Sequence, residues 1–238
     1  MKLIRNFFAL TLIIIYVFAL IDLTNKEDMP VAINDFNNKI FYYGDSQDNF
    51  IYLTFDDGFG RNNTKQILDI LEAENVKATF FFEGNFLKTN PDLILRAHKF
   101  GHVFGNHTYS HKNAANYTNE KFIEELEKVE KLFYQITKSP LDKLYRPPMG
   151  FISHSNLEVL KEKGYKVMMW SVSYEDWDYK KEIEPAYTFQ EIVSNTKNGS
   201  IILMHTMNKA NVEALSDIIK ELKKRGYEFA TLDLLYRL

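Results

Sequence analysis

The sequence contains no cysteine, which excludes disulfide bonds, thiolate metal sites and a cysteine nucleophile. It also has no excess of positive charge, because 29 Lys and Arg stand against 32 Asp and Glu among 238 residues. No nucleic-acid partner is therefore expected. A Gly-rich dinucleotide fingerprint is absent as well. No Gly-x-Ser-x-Gly elbow occurs, which disfavours serine hydrolysis. The catalytic groups that remain are carboxylates, hydroxyls, amines and the imidazoles of six histidines.

The first 23 residues have the pattern of an export signal. Lys2 and Arg5 precede the apolar run 7–21, which is interrupted only by Thr11. The run is shorter than the roughly 20 residues of a bilayer span, and no small-x-small cleavage site follows it. A cleaved signal peptide, an uncleaved signal-anchor and a buried N-terminal helix stay open. Both export alternatives place the rest of the chain outside the cytoplasmic membrane.

After a predicted linker at 24–49, strand-length apolar runs alternate with helix-period segments over a predicted domain at 50–238. In the helix predicted at 118–137, Glu125 is among the residues expected to face solvent. The alternation predicts a parallel sheet wrapped by helices, and the missing fingerprint favours a barrel over an open sheet. Strands are predicted at 50–55, 78–82, 102–105, 144–146, 166–172, 200–205 and 227–232.

Ionisable residues follow five of these seven predicted strands. Because the carboxyl ends of parallel strands share one rim of a barrel, we expect these side chains to form the functional site there. They are Asp56, Asp57, His107, His111, Arg146, Asp176 and His205.

A metal site is predicted at this rim. The spacing of His107 and His111 lets both imidazoles reach one ion, although two unrelated surface histidines show the same spacing. Asp57 completes a two-His, one-carboxylate set that leaves a coordination position open for water. Adjacent carboxylates repel unless their roles differ, so we assign Asp57 to the metal and Asp56 to general-base catalysis.

Four further residues complete the predicted site. Arg146 is expected to hold Asp56 ionised, with an ordinary surface arginine as the alternative. His205 is the candidate general acid, with a hydrogen-bonded core histidine as the alternative. Asp176 and Trp177 are expected to contact substrate, since an aromatic face suits a sugar ring; the alternative for Trp177 is packing alone.

Five ordered segments resemble the motifs of the polysaccharide deacetylases, the NodB-homology domains of carbohydrate esterase family 4. They are Thr54-Phe55-Asp56-Asp57-Gly58, His107-Thr108-Tyr109-Ser110-His111, Arg146-Pro147-Pro148-Met149-Gly150, Ser173-Tyr174-Glu175-Asp176-Trp177 and Leu203-Met204-His205.

This resemblance extends from about residue 50 to the C-terminus. It implies an α/β fold of the distorted (β/α)7 barrel type and metal-dependent removal of acetyl from an N-acetylated sugar. The implied metal is zinc, with cobalt, manganese or nickel as alternatives. The backbone N–H of Met149 is implied as an oxyanion donor beside substrate.

Within the family, the chain is most similar to the peptidoglycan deacetylases that act on muramic acid and lead to muramic δ-lactam in spore cortex. Three departures bear on this hypothesis: Ser173 replaces an aspartate that tunes the acid histidine in the family, Asp57 stands where the muramic branch often has asparagine, and Met149 stands where that branch has a basic residue. The alternative substrates are N-acetylglucosamine in peptidoglycan, chitin oligosaccharide and exopolysaccharide. The alternative function is wall binding without turnover.

Overall fold

The computed structural model describes residues 40–58, 60–178 and 180–236. The predicted export signal and most of the predicted linker lie outside the described residues. Among the helices that are described, none combines the length and apolarity needed to cross a membrane.

A parallel sheet forms the centre of the described structure, with strand order β1-β6-β5-β4-β3-β2-β7 and β8 paired with β2. Its strands are β1 (Ile40–Phe41), β2 (Phe50–Asp57), β3 (Thr79–Phe82), β4 (Val103–Asn106), β5 (Leu144–Tyr145), β6 (Lys166–Met168), β7 (Ile201–His205) and β8 (Glu228–Ala230).

The sheet curls so that its ends approach each other. Its ladders follow an open path from β1 to β7, and isolated bridges then join Val172 to Ile202 and Tyr43 to Ser200. The predicted α/β fold with a parallel sheet and surrounding helices is confirmed. Isolated bridges, rather than a continuous ladder, connect the two ends of the barrel-like sheet.

Seven α-helices connect the described strands, and short 3-10 turns lie at 114–116, 148–150 and 232–236. The fourth helix shows why the sequence folds locally as it does: the hydroxyl of Thr118 caps its N-terminus, and Phe122, Leu126 and Val129 form its buried stripe. The helices are α1 (Arg61–Ala73), α2 (Gly84–Thr89), α3 (Pro91–Phe100), α4 (Asn119–Thr137), α5 (His154–Glu162), α6 (Pro185–Asn195) and α7 (Lys209–Lys224).

Two elements were not predicted. Strand β1 lies inside the predicted linker, where it pairs with β6 and where the carbonyl of Phe41 accepts a hydrogen bond from the N–H of Met169 at 2.8 Å. Helix α2 follows β3 directly. Both segments are too short to show a period in the sequence, and their structure depends on tertiary contacts.

Strand β3 is buried on both faces, as a central parallel strand should be. The ring of Phe80 stacks against Phe55 and against Phe82, with centroids 5.2 Å apart in each pair. This packing fixes the register of β2 and β3, and with it the position of the polar residues where the strands end.

Candidate active site

A cavity of about 470 Å³ opens at the carboxyl ends of the central strands. Seven of the nine predicted site residues line it, and the other two, Arg146 and Asp176, are fully buried outside its lining. The seven lining residues are Asp56, Asp57, His107, His111, Met149, Trp177 and His205.

Asp56 and Arg146 form a buried ion pair. The guanidinium Nη1 of Arg146 donates to Oδ1 of Asp56 at 2.8 Å. Burial acts to raise the pKa of Asp56, but the charge and hydrogen bond of the Arg146 guanidinium outweigh it and hold this pKa below its ordinary value. The carboxylate is therefore ionised at neutral pH, as a general base must be.

The guanidinium of Arg146 is held by more than Asp56. It donates to the hydroxyl of Thr54 at 2.8 Å and to the carbonyls of Met168 and Met169 at 2.9 and 3.0 Å. Its side chain is completely buried. The alternative of a surface arginine is therefore wrong. The guanidinium is fixed by these bonds, so its hydrogen bond to Asp56 orients the carboxylate.

The imidazoles of His107 and His111 converge, with their Nε2 atoms 3.1 Å apart. The Nδ1 atom of His107 lies 2.8 Å from the carbonyl of Arg146, which directs Nε2 into the cavity. Burial lowers the pKa of His107 to about 4 and also lowers that of His111. Both rings are neutral, and two nitrogen ligands of one tetrahedral zinc lie about 3.3 Å apart, so the pair fits a divalent ion.

The loop that carries these histidines is held in a strained backbone conformation, since Thr108 and His111 both have positive φ. Asn106 accepts from the N–H of Thr108 at 3.0 Å, and Glu125 accepts from both the N–H and the hydroxyl of Ser110 at 2.8 Å. The expectation that Glu125 faces solvent is wrong. The residue is 2 % exposed, because the loop that it accepts hydrogen bonds from covers it.

Asp57, the predicted third ligand, is buried beside the imidazoles in the cavity wall. Its Oδ2 accepts a hydrogen bond from the hydroxyl of Thr64, and its Oδ1 accepts from the N–H of Gly60 at 3.5 Å. Among the residues described, no three His, Asp or Glu side chains converge as a metal group. Burial raises the pKa of Asp57 to about 6. A neighbouring cation would lower this pKa, because it stabilises the charged carboxylate. Its role as a ligand stays a prediction.

His205, which is partly buried, and Asp176, which is fully buried, form a second pair. The Nδ1 atom of His205 lies 2.7 Å from Oδ1 of Asp176, whose Oδ2 accepts from the backbone N–H of His205 at 2.8 Å and from Asn211 at 2.6 Å. Burial acts to lower the pKa of His205, but the hydrogen bond and charge of Asp176 raise it above its ordinary value.

This geometry corrects the role assigned to Asp176. The side chain is completely buried and does not line the cavity, so it orients His205 rather than contacting substrate. The serine at position 173 therefore leaves His205 with an aspartate partner from three residues further along the same motif. When the ring is protonated, Nδ1–H donates to the carboxylate of Asp176 and Nε2–H is presented to the cavity.

Replacing Asp176 by asparagine should shift the alkaline limb of the pH–rate profile to lower pH. His205 acts as an acid only while protonated, and the raised pKa keeps it protonated to a higher pH; removing the carboxylate lowers that pKa. Measured kcat at pH 6 to 10 tests this, with kcat falling roughly 10- to 100-fold at the alkaline end. An unchanged alkaline limb would contradict the assignment.

The outer wall of the cavity is apolar and open. Met149 and Trp177 are 60 % and 55 % exposed, and Met149 has a φ of 58°, a strained value for a residue other than glycine. Trp170, Tyr174 and Leu203 complete this wall. Among the described lining residues there is no Lys or Arg.

Glu83 also lines the cavity, and it is a residue that the sequence motifs do not include. It directly follows β3 and is 4 % exposed. Burial, followed by the charge of Asp57, raises the pKa of its carboxyl to about 7. Its position just beyond the carboxyl end of a central strand was the one signal available.

Comparison with known proteins agrees with this geometry. The family model for polysaccharide deacetylase matches residues 43–168. A peptidoglycan-N-acetylmuramic acid deacetylase of Bacillus subtilis, PdaA, is 38% identical over 81% of this chain and 73% of its own length. A peptidoglycan-N-acetylglucosamine deacetylase of Bacillus cereus is 36% identical over 81% of this chain and 90% of its own.

The solved structure of Bacillus subtilis PdaA, a family 4 carbohydrate esterase, superposes with a TM-score of 0.81 at 36% identity, covering 84% of this chain and 86% of that one. Proteins of this family are hydrolases of N-acetyl amide bonds that generally use a divalent metal. The chain belongs to the polysaccharide deacetylase family.

Proposed function

We propose that this protein hydrolyses the acetamide group of N-acetylmuramic acid in peptidoglycan, as a step toward muramic δ-lactam in spore cortex. The observation that carries the deacetylase chemistry is the pair of dyads, Asp56–Arg146 and His205–Asp176, which meet at one cavity because Asp56 and His205 end adjacent strands. The similarity to a muramic acid deacetylase supports the choice of sugar.

The two dyads supply the proton transfers of amide hydrolysis. A divalent ion held by His107, His111 and Asp57, zinc in this proposal, would polarise the acetamide carbonyl and acidify a water molecule. Asp56 takes the proton of the attacking water, and Nε2 of His205 gives a proton to the sugar nitrogen as the C–N bond breaks. Acetate and a free amino sugar are the products.

The remaining groups position the reaction. Arg146 keeps the Asp56 carboxylate ionised and aimed at the cavity. The backbone N–H of Met149 is assigned to the developing oxyanion, and the exposed face of Trp177 to the sugar ring.

N-Acetylglucosamine in peptidoglycan is a second candidate substrate, favoured by a specific observation. The described residues that line the cavity include no Lys or Arg to pair with the lactyl carboxylate of muramic acid. A neutral sugar requires no such counter-charge. The relative from Bacillus cereus acts on this sugar according to its name.

The sugar is identified by where the acetyl group is lost. The full-length chain is incubated with intact and with peptide-stripped peptidoglycan, and muramidase fragments are analysed by tandem mass spectrometry. Loss of one acetyl group from the muramic residue of stripped glycan is the expected result. Loss from the glucosamine residue would overturn the choice of sugar and support the second candidate.

The proposal includes an extracytoplasmic location, either in the wall or at the membrane. Peptidoglycan lies outside the cytoplasmic membrane, and the N-terminal 23 residues have the charge and hydrophobicity of an export signal.

Replacing His107 by alanine should weaken zinc binding by roughly 100-fold or more, since it removes one of the converging imidazoles. Isothermal titration of zinc into the purified protein measures the change. His154→Ala is the matched control, because His154 is exposed at the start of α5 and lies outside the cavity lining. Equal zinc affinity in the His107 variant would contradict the metal assignment.

A further inference from the structure

The carboxylate of Glu83 lies in the cavity wall and has no part in the chemistry above. The backbone N–H of Glu83 donates to the carbonyl of Asp57 at 3.2 Å, which joins the ends of β3 and β2. A Cβ atom built on Gly58 would lie 2.9 Å from the carboxyl carbon of Glu83. The glycine therefore leaves the space that this carboxylate occupies beside the predicted metal site.

The protein does not satisfy this carboxylate. Within the described part of the chain, it makes no hydrogen bond and no ion pair, although the residue is 4 % exposed. Its oxygens are accessible from the cavity and accept no hydrogen bond from the described residues, so contacts within the fold do not account for an acid at this position. A carboxylate that lines a cavity without a protein partner is typical of a site that binds a ligand.

The chemistry of the site indicates the class of ligand. Carboxylate oxygens accept hydrogen bonds, and the hydroxyl groups of a sugar are strong donors. Glu83 shares the cavity with the aromatic side chains of Trp170 and Trp177. This combination suits a pyranose ring, because an aromatic side chain packs against its C–H groups and a carboxylate accepts hydrogen bonds from its hydroxyl groups.

We propose that Glu83 is a substrate-binding residue that accepts a hydrogen bond from a hydroxyl group of the sugar being deacetylated. This inference rests on the proposed function. It assigns Glu83 to affinity for the sugar and leaves the chemical step to Asp56 and His205.

The test compares Glu83→Gln and Glu83→Ala with the unmodified full-length protein. On peptide-stripped peptidoglycan and on an N-acetylglucosamine tetramer, KM for the better substrate should rise roughly ten-fold or more for alanine and less for glutamine, which retains an acceptor oxygen. Values of kcat should change by less than about two-fold, since the bond contributes to ground-state and transition-state binding alike. Glu162→Gln, on the exposed side of α5, is the matched control.

Two further readouts separate this role from others. Zinc stoichiometry should be unchanged in both variants, and the thermal midpoint of the glutamine variant should not fall, because an unsatisfied acid has been replaced by a neutral group. Unchanged KM in the alanine variant would overturn the inference. Loss of bound zinc would also overturn it and make Glu83 a metal ligand.

Failure of the proposed function looks different. If the unmodified protein releases no acetate from any glycan, the same variants are compared by calorimetric titration with both glycans. Weaker binding by the alanine variant would then support the role of Glu83 in sugar binding. Equal or undetectable binding by all variants would overturn it.

Discussion

Replacement of Asp56 by asparagine is expected to lower kcat by roughly 10²- to 10⁴-fold while zinc binding is retained. Asparagine preserves an oxygen for Arg146 but does not accept the proton of the attacking water. The remaining activity is measured as acetate released from peptide-stripped peptidoglycan at saturating concentration. Zinc content and the far-UV circular dichroism spectrum of the variant are measured in parallel.

The matched control for this variant is Asp217→Asn, on the exposed face of α7, which should retain full activity. A twofold or smaller loss of kcat in the Asp56 variant would show that another group acts as the base. Loss of zinc from a folded Asp56 variant would instead make Asp56 a metal ligand, an arrangement in which its carboxylate is not free to take a proton.

Replacement of Arg146 by methionine should destabilise the fold by about 3–5 kcal/mol and abolish turnover. The guanidinium is completely buried, and its removal leaves the Asp56 carboxylate without its cationic partner in the interior. The carbonyls of Met168 and Met169 lose their donors as well. Urea unfolding measures the loss of unfolding free energy.

A double-mutant cycle separates the charge effect from the packing effect. The double variant Arg146→Met with Asp56→Asn removes both charges, so its loss of unfolding free energy should be smaller than the sum of the two single losses by more than about 1 kcal/mol. Strict additivity of the two losses would contradict a direct ion pair. A small loss in the Arg146 variant alone would contradict the buried position of the guanidinium.

The general fold is readable from the sequence because its signals are repeated along the chain. Runs such as Thr79–Phe82, apolar on both faces, predict buried parallel strands, and the helix capped by Thr118 has a regular buried stripe. Strand β1 and helix α2 were missed because two and six residues are too few to show a period.

The cluster of site residues was also predictable, because polar residues that end parallel strands must share one rim. What each of them touches was not. The sequence predicts that Asp176 contacts substrate, but its side chain is fully buried and is hydrogen-bonded to His205. Helical periodicity predicts that Glu125 faces solvent. The prediction is wrong because the loop at Ser110 covers this position of α4, and the periodicity of one helix contains no information about a neighbouring loop.

Glu83 illustrates the limit of motif reading. Its residue type and its place after β3 are visible in the sequence, but its position in the cavity wall beside Gly58 depends on how the segments pack together. The predicted third metal ligand shows the same limit, since the spacing of Asp57 from the histidines says nothing about its hydrogen bonds to Thr64 and Gly60.

Acetate release by the purified full-length protein from peptidoglycan tests the central claim most directly. The account predicts release from peptide-stripped glycan, its loss on chelation with EDTA and its recovery on addition of zinc. Asp56→Asn, measured in parallel, should release acetate at least roughly 100-fold more slowly. No release from either stripped or intact peptidoglycan by folded protein with zinc bound would contradict the claim that this chain is a peptidoglycan deacetylase.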